Sequence, residues 1–286
     1  MPNLPPSGIA LCLSSSFCGY HAHAGFLTEL VKQGIRPDRI SGASAGALVA
    51  GLWGAGVRDE PLQTLLGSSA FKWAFWEWLA IPRFHLCLTG FGPSGMITGK
   101  KFRKFLATYV GDALLENLSD PQIEIAVTNI SLLASQIKSS GKLIDTIVAS
   151  LAVPMLFAAQ KIDQYDYLDG GIANEAPYEH WLDNPAIHTI IVHRIRHEAT
   201  FQKVPWRTPL NVTAASHTCS ARELERLRLE KAQMLGKHIE FVTTKTPHPG
   251  IFQGRKAPIL YQLGRESAQQ FAKRNMISPS PNEASS

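Results

Sequence analysis

The sequence predicts an α/β fold in which helices cover both faces of a mainly parallel central sheet, giving three layers. Short apolar runs, typical of buried strands, alternate with longer stretches whose apolar residues recur at helical spacing. Hydrophobic residues make up 45% of the 286 residues and charged residues 18%, which excludes a disordered or fibrous chain. Neither a repeat nor a linker divides the sequence, so we expect a single domain over residues 1–276 and a disordered tail, 277–286.

The first 57 residues set the order of the elements around a glycine-rich turn. In chain order, the predicted elements are a strand over 9–13, a helix over 21–33, a strand over 35–41, a turn over 42–46 and a helix over 47–56. The first strand, IALCL, is apolar on both faces and is therefore expected to be buried. This arrangement places a serine, Ser44, between a strand and a helix.

The rest of the chain continues the alternation. The predicted elements are a helix over 100–109, a strand over 123–130 with a hairpin partner over 134–140, a helix over 142–153, a strand ending at 169, a strand over 187–195, a charged helix over 221–237 and a strand over 238–244. In the charged helix we expect Leu224, Leu227 and Met234 to pack inward.

Residues 71–84 are unusually rich in aromatic side chains and have two interpretations. Tryptophan favours the headgroup region of membranes, which suits a lid or an interfacial patch. Alternatively, Phe71, Phe75 and Trp78 share one face of a core helix, although Trp73 and Trp76 then point elsewhere. The sequence leaves both interpretations open.

The net charge favours anionic partners but not nucleic acid. A formal net charge of +5 suits an acidic membrane surface or a nucleic acid. Glutamates interleave the densest basic segment, RELERLRLEK, and no nucleic-acid-binding motif is present. We therefore expect a mild attraction to anionic lipid.

Cysteine usage and hydropathy indicate the compartment. The four cysteines, at positions 12, 18, 87 and 219, form no Cys-x-x-Cys pair, which predicts reduced thiols. The amino-terminal segment lacks the cationic start of a signal peptide, and the longest uncharged apolar stretch, 47–57, covers only about half of a bilayer. These features predict a cytoplasmic protein without a transmembrane segment.

Residues 42–46, GASAG, form the first candidate for a catalytic motif. A turn from a strand to a helix projects its serine toward the positive end of the helix, which suits a nucleophile. Gly42 and Gly46 let the backbone bend tightly and keep side chains out of the helix–strand contact. A glycine-rich turn with a capping serine fits the same residues, so the pattern by itself leaves the role of Ser44 open.

A serine nucleophile needs a base that takes its proton. Candidates for the histidine of a Ser–Asp–His triad are His180, His188 and His193. The usual α/β-hydrolase sheet, however, places more strands before its nucleophile than fit into 43 residues. The other candidate is Asp169, which ends a predicted strand and precedes Gly170 and Gly171. A buried carboxylate near Ser44 acts as a base directly when burial raises its pKa, although an Asp-Gly turn is also a common structural feature.

Two segments together resemble the patatin-like phospholipase family. Residues 22–56, AHAGFLTELVKQGIRPDRISGASAGALVAGLWGAG, are similar to the family's helix, strand, nucleophile turn and second helix. Residues 149–171, ASLAVPMLFAAQKIDQYDYLDGG, resemble the segment that ends in the family's catalytic aspartate. The similarity covers residues 9–57 and 121–178, and the remainder matches loosely. The resemblance implies the family's three-layer patatin-like fold.

The resemblance also implies a reaction. Ser44 is then the nucleophile and Asp169 its base in a Ser–Asp dyad, and acyl esters are hydrolysed through an acyl-enzyme without a metal or an organic cofactor. The glycines that support the two motifs are Gly42, Gly46, Gly170 and Gly171. The implied partner is an acyl lipid or a membrane surface, with the protein peripheral to it. A hydrolase of soluble esters or thioesters is an alternative.

The loop after the first strand departs from the family pattern G-G-G-x-Arg/Lys-Gly, whose backbone N–H groups form the oxyanion hole. The aligned residues are Ser15, Ser16, Phe17, Cys18, Gly19 and Tyr20. Gly19 replaces the cation. Because positive φ angles favour glycine, either the loop turns differently with Gly19 as its pivot, or the oxyanion hole is impaired. The hydroxyls of Ser15 and Ser16 are candidate replacement donors or helix caps. If the hole is impaired, the protein is a catalytically weak or inactive module of the same fold that binds lipid or a protein partner.

Histidine spacing predicts no metal centre. His21 and His23 lie two residues apart at the start of a predicted helix and therefore face different directions, which favours structural roles. No cluster of carboxylates accompanies His193 and His197 in the sequence, which argues against metal ligation there.

Overall fold

The computed structural model describes residues 7–88, 92–198, 209–247 and 256–277. The strands in this part of the chain are β1 (Ile9–Leu13), β2 (Arg39–Gly42), β3 (Gly95–Ile97), β4 (Gln122–Asn129), β5 (Ala134–Lys138), β6 (Met155–Phe157), β7 (Gln160–Ile162), β8 (Tyr165–Asp169), β9 (Thr189–Glu198) and β10 (His238–Pro247). The helices are α1 (Tyr20–Lys32), α2 (Ala45–Gly54), α3 (Asp59–Gly67), α4 (Ser69–Ala74), α5 (Ala80–Leu88), α6 (Lys100–Val110), α7 (Leu143–Ser150), α8 (Gly170–Ala173), α9 (Pro209–Met234) and α10 (Ala257–Ile277).

A large sheet forms the centre of the fold. Among the described residues its eight strands follow the order β10-β9-β1-β2-β4-β8-β7, and β5 pairs with β4 outside this path. The strands from β10 to β4 pair in parallel, whereas β5, β7 and β8 pair antiparallel. β3 and β6 form a separate parallel pair. The predicted mainly parallel sheet is thus confirmed.

The side chains of β1 alternate between two hydrophobic cores, one on each face of the sheet. Leu11 and Leu13 pack into a core built with α1, α2, α7 and α10. Ala10 and Cys12 pack on the opposite face against apolar residues of the segment 176–187 and of α9. Helices and connecting segments therefore cover both faces, and the predicted three-layer α/β fold is confirmed.

Predicted and observed elements agree best where an apolar run has clear ends. β1, α6 and the hairpin of β4 and β5 match their predicted ranges to within one or two residues. The helix predicted over 142–153 ends earlier, at Ser150, ahead of the break that Pro154 imposes. The strand predicted over 35–41 begins only at Arg39, because Pro37 has no N–H group to donate to a sheet.

α9 contains the predicted charged helix, but its buried face differs from the prediction. Leu224 is partly buried, whereas the expected burial of Leu227 and Met234 is wrong, since these side chains are 49% and 80% exposed. Arg228 is buried in this region, and its Nε donates to the Glu179 carboxylate at 2.9 Å. The surface beneath α9 therefore offers a carboxylate, which selects a cation rather than an apolar residue.

α10 was not predicted from the sequence, and it packs closely along α1. A Cβ atom at Gly25 of α1 would lie 2.0 Å from the carbonyl oxygen of Tyr261, so this approach requires glycine. In the same contact, Arg265 and Gln269 each donate to the Glu29 carboxylate at 2.8 Å. The contact fixes the carboxyl-terminal helix against the helix that follows the first loop.

The aromatic stretch forms the short helix α4 and the segment that leads to α5. Phe71 is fully buried and contacts Phe102 of α6 edge-on, as the core-helix interpretation predicts. The same interpretation is wrong for Trp78, because α4 already ends at Ala74. Trp73 and Trp78 are 58% and 86% exposed. This region therefore combines a buried anchor with an exposed aromatic surface.

The predicted tail, 277–286, lies outside the described residues except for Ile277, which ends α10. No helix in the described ranges has both the length and the apolar character that a membrane span requires.

Candidate active site

Ser44 occupies the sharp turn between β2 and α2. Its backbone has φ 52° and ψ −118°, a combination that residues other than glycine rarely adopt. A Cβ atom at Gly42 would lie 2.4 Å from the carbonyl carbon of Gly46, and one at Gly46 would lie 2.1 Å from the carbonyl oxygen of Leu13. The two glycines therefore allow the helix to start directly against β1, with the serine at the apex of the turn.

The register of β4 brings Asp169 to this turn. Gly42, at the end of β2, pairs with Ile125, and Asp169, at the end of β8, pairs with Val127 on the same strand. The Ser44 hydroxyl donates to Oδ2 of Asp169 at 2.6 Å. Two residues that lie far apart in the sequence thus meet because both of their strands pair with β4.

Asp169 is held in an environment that favours its neutral form. The side chain is buried, and burial raises the pKa of this carboxyl to about 6, although the hydrogen bonds from Ser44 and from the Gly171 N–H lower it. Oδ1 accepts the Gly171 N–H at 2.7 Å. Cβ atoms at Gly170 and Gly171 would lie 2.1 Å from the Ala126 carbonyl oxygen and 2.2 Å from the side-chain oxygen of Ser15. Both glycines therefore provide space for the turn after β8.

Ser150, at the end of α7, supports the nucleophile turn. Its hydroxyl accepts the backbone N–H of Ser44 at 2.9 Å and donates to the Ala126 carbonyl at 2.7 Å. This serine ties the turn to β4, and sequence reasoning did not assign it a role. The signal was present, since Ala149 and Ser150 open the segment that resembles the family's pre-aspartate region.

The loop between β1 and α1 takes a different shape from the one expected. Gly19 was predicted to be its pivot, but Gly19 has φ −81° and the positive φ, 54°, belongs to Cys18. Gly19 is needed for space, because a Cβ atom there would lie 2.2 Å from the hydroxyl oxygen of Ser16. The N–H of Ser15 is already bonded to the carbonyl of Glu175 at 2.7 Å. The prediction that Ser15 or Ser16 caps α1 is wrong, since no side chain forms a capping bond at the start of this helix.

Two buried histidines, His23 and His193, support this loop through hydrogen bonds. Nε2 of His23 lies 2.9 Å from the Ser14 carbonyl and 3.2 Å from the Ser16 hydroxyl, and Nδ1 lies 2.8 Å from Nδ1 of His193. Burial lowers the pKa of His23 to about 3, so this ring is neutral. The Ser14 carbonyl requires a proton on Nε2 of His23, so Nδ1 of this ring accepts a hydrogen bond from Nδ1 of His193. Nε2 of His193 lies 2.8 Å from the hydroxyl oxygen of Thr244, which donates to the Ser267 hydroxyl at 2.9 Å.

The other histidines considered in the sequence lie elsewhere. His180 is bonded to the Glu124 carboxylate at 3.0 Å, and the side chain of His188 is exposed. His21 is buried, and burial lowers its pKa to about 4, with the charge of Lys72 acting in the same direction. In the described part of the chain, no three histidine, cysteine, aspartate or glutamate side chains form a group that could hold a metal ion.

A pocket opens beside Ser44. It measures about 700 Å³, including the part that is open to solvent, and the loop residues 16–18 form one wall. Most of the remaining lining is apolar and includes Phe75 and Phe157. Lys72 is the charged residue among its described lining residues. The pocket therefore offers a largely apolar surface beside Ser44.

Comparison with known proteins finds a matching family and several relatives of this chain. A family model described as "Patatin-like phospholipase" matches residues 11–181. The chain is 29% identical over 171 residues to an uncharacterized NTE family protein of Mycobacterium tuberculosis. The aligned segment covers 59% of this chain and 44% of that protein. It is 26% identical over 193 residues to the neuropathy target esterase sws of Drosophila melanogaster. This alignment covers 66% of this chain and 13% of the fly protein.

The chain therefore spans less than half the length of these curated relatives. Among solved structures, VipD from Legionella pneumophila has a similar fold, with a TM-score of 0.51 and 13% identity over 94% of this chain and 67% of VipD. The family match extends over more than half of the chain and includes both Ser44 and Asp169. The chain belongs to the patatin-like phospholipase family.

Proposed function

We propose that the protein is a serine lipid acyl hydrolase that uses Ser44 as nucleophile and Asp169 as base. The observation that carries this proposal is the hydrogen bond of 2.6 Å from the Ser44 hydroxyl to the Asp169 carboxylate, next to a largely apolar pocket. The reaction is the hydrolysis of an acyl ester, of the phospholipase A type or that of a related esterase. It requires neither a metal nor an organic cofactor.

In the first step, the Ser44 oxygen attacks the ester carbonyl and its proton passes to Oδ2 of Asp169. The carboxylic acid then gives this proton to the leaving alcohol, which departs and leaves an acyl group on Ser44. Water repeats the sequence with Asp169 as base, and the free fatty acid is released. A pKa near 6 suits this work, because the carboxylate is ionised at neutral pH and still binds a proton readily.

The developing oxyanion needs donors on the pocket side of Ser44. Ala45 begins α2 and lines the pocket, as do Ser16, Phe17 and Cys18, so their backbone N–H groups are the candidate donors. The N–H groups of Ser15 and Ser44 are bonded elsewhere. The proposed hole thus differs from the glycine-rich one that the family pattern implies.

The composition of this loop supports a second candidate function. The N–H group of Ser15 is already bonded, and no run of glycines is present in this loop. The oxyanion hole therefore has fewer backbone donors than three glycines would provide. A catalytically weak member of the family that binds lipid or a protein partner would keep the apolar pocket and need no strong oxyanion hole. Soluble esters and thioesters are alternative substrates for the same dyad.

We place the protein in the cytoplasm and peripheral to membranes. The exposed side chains of Trp73 and Trp78 lie in the same stretch as Phe75, which lines the pocket. Tryptophan at an exposed surface partitions into the headgroup region of a bilayer. A lipid acyl chain would then pass from the membrane surface into the pocket.

Hydrolysis measured on short-chain nitrophenyl esters and on phospholipid vesicles tests the proposal. Ser44→Ala and Asp169→Asn serve as variants, and a fluorophosphonate probe reports on the reactivity of Ser44 without a lipid substrate. We expect turnover and labelling by the wild type and loss of both in Ser44→Ala. Equal activity of the wild type and both variants would overturn the proposal, and vesicle binding without turnover would support the lipid-binding alternative.

A further inference from the structure

Lys72 is a cation in the wall of the pocket and has no anionic partner in the described residues. It lies on α4, is partly buried, and lines the pocket together with Ser44 and the loop residues 16–18. Its described neighbours offer it no ion pair or side-chain hydrogen bond. An ammonium group without an ion pair in the wall of an otherwise apolar pocket attracts an anion that enters the pocket.

The position of Lys72 is fixed by its neighbours in the chain. Ser68 caps α4 by accepting the Phe71 N–H at 3.0 Å. The ring of Phe71 is fully buried and contacts the ring of Tyr20, the first residue of α1, at 5.3 Å between centroids. α4 is therefore attached to the end of the loop at residues 16–18, and Lys72 is held at the same side of the pocket.

The nearby titratable groups leave the charge of Lys72 uncompensated. Asp169 is buried and already bonded to Ser44 and Gly171. Glu77, the next acidic residue in the chain, is bonded to Arg83 and to the Thr98 hydroxyl. His21 is neutral at physiological pH, since its pKa is lowered to about 4. The described lining of the pocket therefore carries a net positive charge.

We propose that Lys72 binds an anionic group of the substrate, a phosphate or a carboxylate, and so selects acyl esters that carry a negative charge close to the ester bond. This proposal rests on the proposed acyl hydrolase function and adds the substrate class. An ammonium group is a point charge on a flexible stem and accepts either oxyanion. Residues 15–20 contain no lysine or arginine, so the cation in the described lining of this pocket comes from α4.

Matched substrates test the proposal. Monododecanoyl glycerol phosphate and monododecanoyl glycerol share one acyl chain and differ in charge, and both are assayed below their critical micelle concentrations. We expect the wild type to prefer the anionic ester in kcat/KM by about 10- to 100-fold, the range for a hydrogen bond to a charged group. Lys72→Gln is expected to bring the ratio close to one, and Lys72→Glu to reverse it.

Lys104→Gln serves as the matched control, because Lys104 is an exposed lysine on α6 outside the described pocket lining. We expect this variant to keep the wild-type ratio. An unchanged ratio in Lys72→Gln, or a wild type that hydrolyses both esters equally well, would overturn the proposal.

A binding assay separates this proposal from the proposed catalytic function. Dodecyl phosphate, dodecanoate and inorganic phosphate are titrated by calorimetry into Ser44→Ala and into Ser44→Ala/Lys72→Gln. Weaker binding of dodecyl phosphate or dodecanoate to the double variant supports the anion site even if no ester is turned over, and the tighter of the two ligands identifies the headgroup. Equal binding by both proteins overturns it, and binding of inorganic phosphate would show that the site takes a free anion as well.

Discussion

At the scale of single residues, both members of the candidate dyad carry strain, which is conformational in Ser44 and electrostatic in Asp169. Ser44 has a backbone conformation that residues other than glycine rarely adopt. Burial raises the pKa of the Asp169 carboxyl group to about 6. Functional sites commonly hold such strain, because the rest of the structure supports it. Each of the two residues therefore gives a prediction about stability as well as about activity.

Asp169→Asn is expected to stabilise the fold at neutral and alkaline pH while it removes the base. The folded pKa lies above the ordinary value of 3.8, so the native state binds the proton more tightly, and the wild type loses stability as pH rises through about 6. Asparagine carries no charge at any pH, so the variant should gain roughly 1–3 kcal/mol at pH 8 and nothing at pH 4. Urea unfolding at both pH values measures this, and an equal or larger gain at pH 4 would contradict it.

Ser44→Gly is expected to be more stable than Ser44→Ala by about 1 kcal/mol, because glycine accepts a positive φ without strain. Both variants lack the hydroxyl, so the comparison isolates the backbone. Unfolding midpoints in urea, measured with the wild type as reference, decide the matter. A more stable Ser44→Ala would show that the turn relaxes to an unstrained conformation.

At the scale of elements, the site depends on close contact between α2 and β1 and on the support of the first loop. The sequence predicted β1, the turn and α2, because their signals are local. It could not predict the buried support of the loop, because His23 is bonded to His193 of β9, and His193 is in turn bonded to Thr244 of β10. Gly19 shows the same limit, since the sequence indicates that a glycine is present but not that it is needed for space.

Gly46→Ala is expected to destabilise the protein by more than about 3 kcal/mol, because the added methyl group would overlap the Leu13 carbonyl and the helix would have to move away. Gly67→Ala, near the end of α3, is the control. Nothing lies within 4 Å of a Cβ atom at that position, so we expect no loss of stability there. Thermal unfolding of the two variants measures the difference, and equal unfolding temperatures would contradict the close contact.

His23→Ala is expected to lower kcat on acyl esters by about 10- to 100-fold, with a smaller change in KM. The imidazole binds the Ser14 carbonyl and lies next to the Ser16 hydroxyl, so its loss frees the loop that carries the candidate oxyanion donors. The exposed His188, changed to alanine, is the control and should retain full activity. If His23→Ala stays folded by circular dichroism and keeps its kcat, the loop does not depend on this histidine.

At the scale of the whole molecule, the predicted fold class proved correct, and the largest element missed was α10. Its buried residues recur at helical spacing, but Ala257, Ala268 and Ala272 are alanines, so the apolar stripe is only weakly marked in the sequence. Exposed surfaces are equally hard to predict. The aromatic stretch had two interpretations in the sequence, and only the folded chain separates the buried Phe71 from the exposed Trp73 and Trp78.

The double variant Trp73→Ala/Trp78→Ala is expected to bind vesicles of mixed anionic phospholipids about 10-fold more weakly, because two exposed indole rings are lost from the surface that would meet the bilayer. Hydrolysis of a short soluble ester should not change. Leu227→Ala on α9, an exposed apolar residue on the other layer, is the control. Co-sedimentation with vesicles measures binding, and an unchanged affinity of the double variant would place the membrane contact elsewhere.

The order of the sheet has a consequence for how the chain may be divided. Similarity to the family model ends at residue 181, yet β1 is paired on one side by β2 and on the other by β9, which begins at Thr189. Beyond β9, the Thr244 hydroxyl is hydrogen-bonded to Ser267 of α10, so the carboxyl-terminal helix is connected through Thr244 and the two histidines to the loop beside Ser44. The segment that matches the family model therefore ends before the folded unit does. Residues beyond 181 can diverge in sequence only within a limit. They must still pair with β1 and support the loop beside Ser44.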